Sequence, residues 1–336
     1  MLVRQCATRC SDVISTDSRD PSIASTVSSS RSLLRGSQRY TPAINKRIVN
    51  FCSSRVANLS QYSDFAVSVR RHLRQLTMST YVHDLASFSD AVGVLMIPAI
   101  EDNYMYILFD KATKVAAAID PVEAPKLAAV VKKVGLDLKM ILTTHSHWDH
   151  DGGNAELVKL FPGISVFGGK GDKAKAVTKE VADGDAIELG NLKVSVLFTP
   201  CHTPGHVCYY VVGESGPGVV FTGDTLFIGG CGNFNTGTPK QMFEAFQKLS
   251  KLPAETLVCC GHEYTSANLA YARFVEPDNN DLRKKSQWVA ERRKANLPTI
   301  PSTLQEEAAT NPFWRVRLCL LCCVPLRHCF TSACVL

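Results

Sequence analysis

The stretch Thr143-Thr-His-Ser-His-Trp-Asp-His150, termed the histidine loop, follows directly on an apolar segment, residues 138–142, that is predicted to be a strand. It places three imidazoles and one carboxylate within six residues. So many polar groups in one short loop would be costly unless something bound them, and a metal ion is the simplest partner. The stretch therefore predicts a metal site at the end of a strand.

The spacing inside the histidine loop predicts two metal ions. Side chains two residues apart in an extended chain point the same way, so His145 and His147 can converge on one ion. Asp149 and His150 follow after the chain turns and can face another ion. The alternative, a polar surface loop with incidental histidines, is disfavoured by the density of the signal and its position after a strand.

Four further polar residues stand at or near the ends of predicted strands, where additional ligands are expected: His202, His206, Asp224 and His262. Taken singly, such a residue is more often a hydrogen-bonded structural group than a ligand. Together with the histidine loop they become ligand candidates, with His206 the weaker one.

Apolar strands alternate with helices through most of the chain after residue 92. Strands are predicted at residues 94–98, 104–109, 115–119, 138–142, 164–167, 194–198, 207–212, 219–221 and 256–259. Helices are predicted at residues 125–134, 154–161 and 239–249. This succession indicates an α/β protein in which a sheet sandwich is covered by helices. From Tyr264 onward the pattern is helical and highly charged and predicts a smaller second domain.

Several motifs are similar to those of the glyoxalase II (hydroxyacylglutathione hydrolase) family within the metallo-β-lactamase superfamily. Besides the histidine loop they are Thr199-Pro-Cys-His202, Phe221-Thr-Gly-Asp-Thr-Leu-Phe227, Cys260-Gly-His-Glu-Tyr-Thr265, Glu101-Asp-Asn-Tyr-Met-Tyr106, Leu297-Pro-Thr-Ile-Pro-Ser-Thr-Leu304 and Asn311-Pro-Phe313. The resemblance covers about residues 93–316. It implies an αββα sandwich as the catalytic domain, residues 92–262, followed by an incomplete helical substrate-binding domain, residues 263–316.

The resemblance also implies the ligands of two divalent metal ions, which are zinc, iron or manganese in that family. His145, His147 and His202 would bind one ion, Asp149, His150 and His262 the other, and Asp224 would bridge them. Asp120 resembles a buried aspartate beneath the histidine loop that would orient a ligand. Its alternative role is that of an Asp-Pro turn former.

The activity that the resemblance implies is hydrolysis of S-D-lactoylglutathione and related 2-hydroxyacylglutathione thioesters, giving glutathione and D-lactate in methylglyoxal detoxification. Two ions roughly 3.5–4 Å apart can activate a water and bind the developing oxyanion. Asp149 and Asp224 are then catalytic through the ions they hold. The leaving thiolate, whose conjugate acid has a pKa of about 8.5, needs no strong general acid.

Glutathione binding is expected to be weakened in this chain. Tyr264 and Asn268 match family positions that line the thiol substrate. Asn233, however, stands where the family commonly has lysine, and Asn235 where it commonly has an aromatic residue. After Val316 an arginine and a lysine of the family have no counterpart. Two alternatives stay open: a persulfide dioxygenase with one iron, and a catalytically impaired metal-binding isoform.

Charge and cysteine content define further expectations. Residues 1–78 hold 12 Lys/Arg and 4 Asp, so the rest of the chain has 25 basic and 27 acidic residues and no basic excess for nucleic acid. The 13 cysteines form no regular framework and are interpreted as reduced thiols. No window reaches the roughly 18 apolar residues of a membrane span. We expect a monomer that binds neither nucleic acid nor membrane.

The two ends of the chain differ from the middle. Residues 1–78 are rich in Ser and Arg and lack Glu, which is typical of an organellar transit peptide. The alternative is a generic disordered basic tail. Mitochondrial import is expected, with plastids as the alternative and a cytosolic form if synthesis starts at Met78. Residues 317–336 form an atypical cysteine-rich tail.

Overall fold

Strands and helices in similar proportion make up most of the chain that the computed structural model describes, which comprises residues 83–84, 89 and 91–316. The predicted transit peptide and the cysteine-rich tail lie outside these residues. None of the described helices is long and apolar enough to cross a membrane.

The first sheet contains seven strands whose order in space is their order in the chain. The first four are antiparallel neighbours, and from β4 to β7 the neighbours are parallel. The strands are β1 (His83–Asp84), β2 (Val92–Ala99), β3 (Asn103–Asp110), β4 (Val115–Ile119), β5 (Asp137–Leu142), β6 (Ser165–Gly169) and β7 (Lys179–Val181).

The second sheet contains six strands in the order β15-β14-β11-β10-β9-β8. They are β8 (Ala186–Leu189), β9 (Leu192–Phe198), β10 (Val207–Val211), β11 (Val219–Gly223), β14 (Leu257–Cys260) and β15 (Ser302–Thr303). Only β11 and β14 pair in parallel. A separate two-stranded ribbon of β12 (Leu226–Phe227) and β13 (Gly230–Cys231) follows β11.

Seven helices accompany the sheets in the described part of the chain. They are α1 (Ala124–Val134), α2 (Trp148–Asp151), α3 (Asn154–Leu160), α4 (Pro239–Leu249), α5 (Thr265–Val275), α6 (Asn280–Lys294) and α7 (Leu304–Thr310). Pro125 in the first turn and Gly135 at φ 73° delimit α1, as predicted. Thr238 and Gln241 form a capping box at the start of α4.

The alternation of side chains along β3 shows why the sheets stack. Tyr104, Tyr106 and Leu108 face the core shared with the second sheet. The intervening Met105 and Ile107 belong to a second core, which includes apolar residues of α1 and α3. On the far side, buried residues of α4 join the core of the second sheet. These layers confirm the predicted αββα sandwich.

The region after β14 is helical but remains joined to the sandwich. A small core of Leu269, Ala272, Leu282 and Val289 holds α5 against α6. The strand β15 extends the second sheet by pairing with β14, and Leu304 of α7 enters the main core. The helical region is therefore fixed to the sheet that carries His262.

Candidate metal centre

The predicted ligands all follow strands that end at one edge of the sandwich. His145 and His147 come after β5, and Asp149 and His150 lie in the one-turn helix α2. The other three lie after β9, β11 and β14 and are His202, Asp224 and His262. Residues drawn from both sheets thus meet in one place.

The first donor group consists of His145, His147, His202 and Asp224, whose ligand atoms lie within 4.8 Å of one another. Nδ1 of His147 is 3.0 Å from Nε2 of His145 and 3.0 Å from Nε2 of His202. Atoms about 2.0–2.1 Å from a tetrahedral zinc ion lie about 3.3 Å apart. The spacing is therefore close to that of ligands around one ion.

The second donor group consists of Asp149, His150 and His262. Nε2 of His262 is 3.2 Å from Nε2 of His150 and 3.4 Å from Oδ2 of Asp149. The third distance in this group, between Oδ2 of Asp149 and Nε2 of His150, is longer, at 3.8 Å. Nitrogen and carboxylate donors in this number suit first-row divalent ions.

Asp224, a member of the first group, also approaches the second. Its Oδ2 is 3.3 Å from Nε2 of His202, and its Oδ1 is 3.4 Å from Nε2 of His150. The residue is only 6% exposed, and Oδ1 accepts no hydrogen bond from any described residue. A buried carboxylate with an unused oxygen is costly unless a cation meets it. The residues present therefore fit a pair of divalent ions.

Two carboxylates orient the histidines of the second group. Nδ1 of His150 lies 2.9 Å from Oδ2 of Asp120, and Nδ1 of His262 lies 2.9 Å from Oδ1 of Asp102. Because a carboxylate accepts, each Nδ1 carries a hydrogen, which leaves Nε2 as the nitrogen that would bind a cation once its proton is displaced. Asp120 thus contacts both His150 and Thr144 of the histidine loop.

Neutral groups orient two histidines of the first group. Nδ1 of His202 donates to the carbonyl oxygen of Asn233, 3.0 Å away. The Thr144 hydroxyl donates to Asp120 at 2.7 Å, so it is left to accept from Nδ1 of His145 at 3.0 Å. In both rings Nε2 is again free to bind a cation.

The electrostatics of the site favour added positive charge. Burial opposes protonation of His262, but the carboxylates of Asp224 and Asp102 outweigh it and raise its pKa to about 10. Burial likewise opposes protonation of His150, yet Asp224 and Asp120 raise its pKa. Burial also opposes ionisation of Asp224, but these imidazoles hold its pKa well below its usual range. Metal ions bound here would displace protons from the histidines.

His206, the weaker candidate, belongs to neither donor group. Its Nε2 accepts the backbone N–H of Asp224 at 3.1 Å, and its Nδ1 lies 3.0 Å from the Thr199 hydroxyl. Burial, first of all, lowers its pKa well below the usual range. The neutral ring therefore holds the backbone of Asp224 in place.

The predicted substrate residues have different surroundings. Tyr264 is 36% exposed and stacks on His262, with ring centroids 4.7 Å apart. Asn268 is buried, and its amide donates to the carbonyl of Ile228 at 3.1 Å. Asn233 contributes its backbone carbonyl to His202. Of these residues, Tyr264 is the one that combines solvent exposure with contact to a metal-group histidine.

Two residues whose role the sequence did not predict also belong to the site. Asp102 holds His262, and the amide of Asn103 donates to Oδ2 of Asp149 at 3.2 Å. Both lie in or beside the β2–β3 turn. In the sequence, only the family motif at residues 101–106 marks these two residues. Their pairing with the ligands is not visible there, because Asp102 and His262 are 160 positions apart.

Two family models match the chain. The metallo-beta-lactamase superfamily model matches residues 119–262, and the model described as hydroxyacylglutathione hydrolase C-terminus matches residues 263–325. The second match extends past Val316, where the resemblance by motif ends.

Named relatives cover most of the same region. The chain is 48% identical over 226 residues to the cytoplasmic hydroxyacylglutathione hydrolase of Arabidopsis thaliana, covering 66% of this chain and 88% of that protein. It is 43% identical over 219 residues to a hydroxyacylglutathione hydrolase of Gloeobacter violaceus, covering 65% of this chain and 86% of that protein. The crystal structure of ETHE1 from Myxococcus xanthus aligns with a TM-score of 0.49 at 26% identity, covering 69% of this chain and 83% of that one.

The two family models match consecutive parts of the chain, and the Arabidopsis relative, at 48% identity, is covered over 88% of its length. The chain therefore belongs to the hydroxyacylglutathione hydrolase (glyoxalase II) family and has the metallo-β-lactamase fold followed by that family's helical C-terminal region.

Proposed function

We propose that the protein hydrolyses S-D-lactoylglutathione and related 2-hydroxyacylglutathione thioesters to glutathione and D-lactate. The observation that carries the proposal is that Asp224, a member of the first donor group, also lies 3.4 Å from Nε2 of His150 in the second. Family membership supplies the substrate class. The protein would act as a thioester hydrolase in the removal of methylglyoxal.

In the proposed arrangement, three histidines hold one ion and two histidines with one carboxylate hold the other. The first set is His145, His147 and His202, and the second is Asp149, His150 and His262. Asp224 would supply a carboxylate to both ions, which we expect to be zinc, with iron or manganese as alternatives. Held there, the ions would polarise the thioester carbonyl and lower the pKa of an attacking water toward about 7.

The chain itself contributes orientation and proton control. Asp120 and Asp102 accept the Nδ1 hydrogens of His150 and His262, so these rings meet the site with a lone pair. Asn103 fixes the carboxylate of Asp149 through Oδ2. Since a thiolate leaves readily, no further side chain is needed as a strong acid.

Glutathione is expected to bind weakly. Tyr264 offers an exposed ring beside His262 on which the substrate can pack. Asn233 carries an amide where the family commonly has an ammonium group. Replacing a charge-assisted hydrogen bond by a neutral one forfeits about 1.5 kcal/mol, roughly tenfold in affinity.

The cellular location is proposed from composition. The Ser- and Arg-rich residues 1–78 support import into mitochondria, with plastids as the alternative. A fluorescent protein fused behind residues 1–78 should enter the organelle, whereas a fusion that begins at Met78 should remain in the cytosol. A cytosolic signal from the longer fusion would contradict the proposal.

The test of the activity uses the full chain. We expect elemental analysis to find two metal ions per chain. With S-D-lactoylglutathione as the substrate, we expect the absorbance of the thioester to fall as it is hydrolysed. Asp224→Asn should abolish turnover. Asp137→Asn, which changes an exposed carboxylate paired with Lys139 at the surface, should leave it unchanged.

Other outcomes would identify the competing functions. One iron per chain with oxygen uptake on glutathione persulfide would indicate a dioxygenase. Two ions without turnover of any thioester would indicate a metal-binding isoform that does not catalyse the reaction. Absence of both metal and hydrolysis would overturn the proposed function.

A further inference from the structure

The ribbon of β12 and β13, residues 226–231, connects two parts of the metal centre. It begins two residues after Asp224 and ends two residues before Asn233, whose carbonyl accepts the Nδ1 hydrogen of His202. The backbone N–H of Gly232 donates to the carbonyl of Thr225 at 3.2 Å and closes its base. A displacement of the ribbon would therefore shift both the Asp224 segment and the group that orients His202.

Side chains of the helical region hold the tip of this ribbon. Asn268 of α5 donates to the carbonyl of Ile228 at 3.1 Å. Asn311, just after α7, donates to the carbonyl of Gly230 at 2.9 Å. Glu307 of α7 accepts the backbone N–H of Gly229 at 2.7 Å. The ribbon pairs within itself at only two positions, and these three hydrogen bonds hold its tip, residues 228–230, from the helical region.

Glu307 is the central residue of this attachment. It is fully buried, and its carboxylate is the acceptor in each of its hydrogen bonds. Its Oε2 accepts from Gly229 and, at 3.1 Å, from the amide of Asn311, while its Oε1 accepts from the Ser302 hydroxyl at 2.6 Å and from Lys285 at 3.1 Å. A buried carboxylate is rare unless it is paired and hydrogen-bonded, as this one is.

The ribbon tip has little freedom to move elsewhere. Gly229 adopts φ 69°, a conformation that side chains disfavour, and a Cβ atom there would lie 2.6 Å from Cδ2 of Leu269. Phe227 packs its ring edge against Tyr264 with centroids 5.2 Å apart, and against His262 at 6.0 Å. The position of the ribbon therefore also affects His262, a member of the second donor group.

We propose that Glu307 is a positioning residue of the metal centre: by holding Gly229 it fixes the ribbon that orients His202 and Asp224. The helical region then serves metal binding as well as substrate binding. The inference rests on the proposed function, because it takes the donor groups to bind divalent ions. Glu307 touches neither donor group and acts only through the ribbon.

A comparison of neighbouring glutamates on the full chain tests the proposal. Glu307→Ala removes the acceptor for Gly229 and should weaken zinc binding at one site about tenfold, at the lower end of the loss seen when a ligand's partner is removed. Glu306→Ala is the matched control, because Glu306 also accepts from Lys285, at 3.3 Å, while no hydrogen bond joins it to the ribbon in the described part of the chain. Glu307→Gln keeps an oxygen that can accept from Gly229 but turns its amide hydrogens toward Lys285 and Ser302, so its zinc affinity should lie between those of Glu307→Ala and the wild type.

Zinc affinity is measured by competition with a chelating dye, and thermal unfolding of the metal-free protein is followed in parallel. Cobalt(II) absorption adds a readout of coordination geometry, which should change in Glu307→Ala and not in Glu306→Ala. A merely structural role would lower the unfolding temperature and leave the zinc affinity and the cobalt spectrum of the folded protein unchanged. That result would overturn the proposal.

A second variant decides the matter if Glu307→Ala does not fold. Asn311→Asp keeps the shape of the side chain but turns a donor to the ribbon carbonyls into an acceptor, and should give the same loss of zinc affinity. Unchanged affinity would contradict the inference. A wild-type chain that binds no zinc, iron or manganese would overturn the proposed function itself, which distinguishes the two failures.

Discussion

At the scale of single residues, the metal centre is defined as much by what lies behind the ligands as by the ligands. His150 and His262 each have a carboxylate at Nδ1, whereas His202 has a carbonyl there. A carboxylate partner raises the basicity of the ring more than a neutral one does. The two donor groups are therefore chemically unequal.

The first prediction concerns Asp120, which lies at φ 48°, a conformation that asparagine tolerates. In Asp120→Asn the amide must direct its hydrogens either at Nδ1 of His150 or at the backbone N–H of Thr144, and both of these donate now. We expect zinc affinity to fall about 10–100-fold with the fold retained. Dye competition measures the affinity, and Asp137→Asn is the control. An unchanged affinity would favour a turn-forming role for Asp120.

The second prediction concerns substrate binding at Asn233. Asn233→Lys should lower the Michaelis constant for S-D-lactoylglutathione by about tenfold, because the ammonium group can form a charge-assisted hydrogen bond to a glutathione carboxylate. The turnover number should change little. Asn191→Lys adds the same charge at the far end of β9 and should leave the constant unchanged. Equal constants in both variants and the wild type would show that glutathione does not approach Asn233.

The sequence predicts the ligands better than their partners. Four of the seven proposed ligands are packed into one loop, so His145 and its neighbours form a local signal. Asp102 gives no such signal, because its relation to His262 exists only after β3 has paired beside the end of β14. Asn268 shows a different limit. Its motif matches a family position that lines the substrate, but the motif does not indicate that its amide donates to the carbonyl of Ile228.

At the scale of elements, the sequence predicts the long segments, including the charged helical region after Tyr264, but not the shortest strands. The predicted helix 239–249 coincides with α4, and the predicted strand 104–109 lies within β3. By contrast, β7 has three residues, two of them exposed, so it has no apolar run to recognise. The two-residue strands β12 and β13 exist because their tip is held by other elements, which local sequence cannot encode.

The third prediction concerns the attachment of α4 to the second sheet. Lys248 of α4 donates to Oδ1 of Asp183 at 2.7 Å and to the carbonyl of Phe198 at 2.6 Å, and the Phe198 N–H also donates to Asp183. Partial burial opposes ionisation of Asp183, but the hydrogen bonds from Lys248 and Phe198 outweigh it and lower its pKa.

Because the folded-state pKa is below the unfolded one, ionised Asp183 stabilises the fold above the unfolded value of 3.8, and this stabilisation is lost as the pH falls through the folded value. Asp183→Asn should therefore be less stable than wild type at pH 7, and the difference should shrink below about pH 4. Urea unfolding of the metal-free proteins across this range measures it. A difference that stays constant into acid would contradict the assignment.

At the scale of the whole molecule, the donor groups join segments that no single element holds together. The histidine loop belongs to the first sheet, while the loops that carry His202, Asp224 and His262 follow strands of the second sheet. Two ions at this edge would cross-link the sheets where their cores end. Metal binding should therefore contribute to the stability of the entire sandwich.

The last prediction follows from that cross-link. At a free zinc concentration about 100 times the dissociation constant, one bound ion adds about 2.7 kcal/mol to the free energy of unfolding. For a domain of roughly 150–250 residues this corresponds to a rise of about 5–10 °C in the unfolding temperature on adding zinc to the chelator-treated protein, followed by circular dichroism.

His147→Ala is the informative variant, because the half-buried ring can be removed from the metal-free protein at little cost while the first donor group loses its central nitrogen. Its metal-free unfolding temperature should match the wild type, and its zinc-induced rise should be smaller. If zinc raised both proteins equally, the stabilising ion would have to lie in the second group alone, and the first group would not be a metal site.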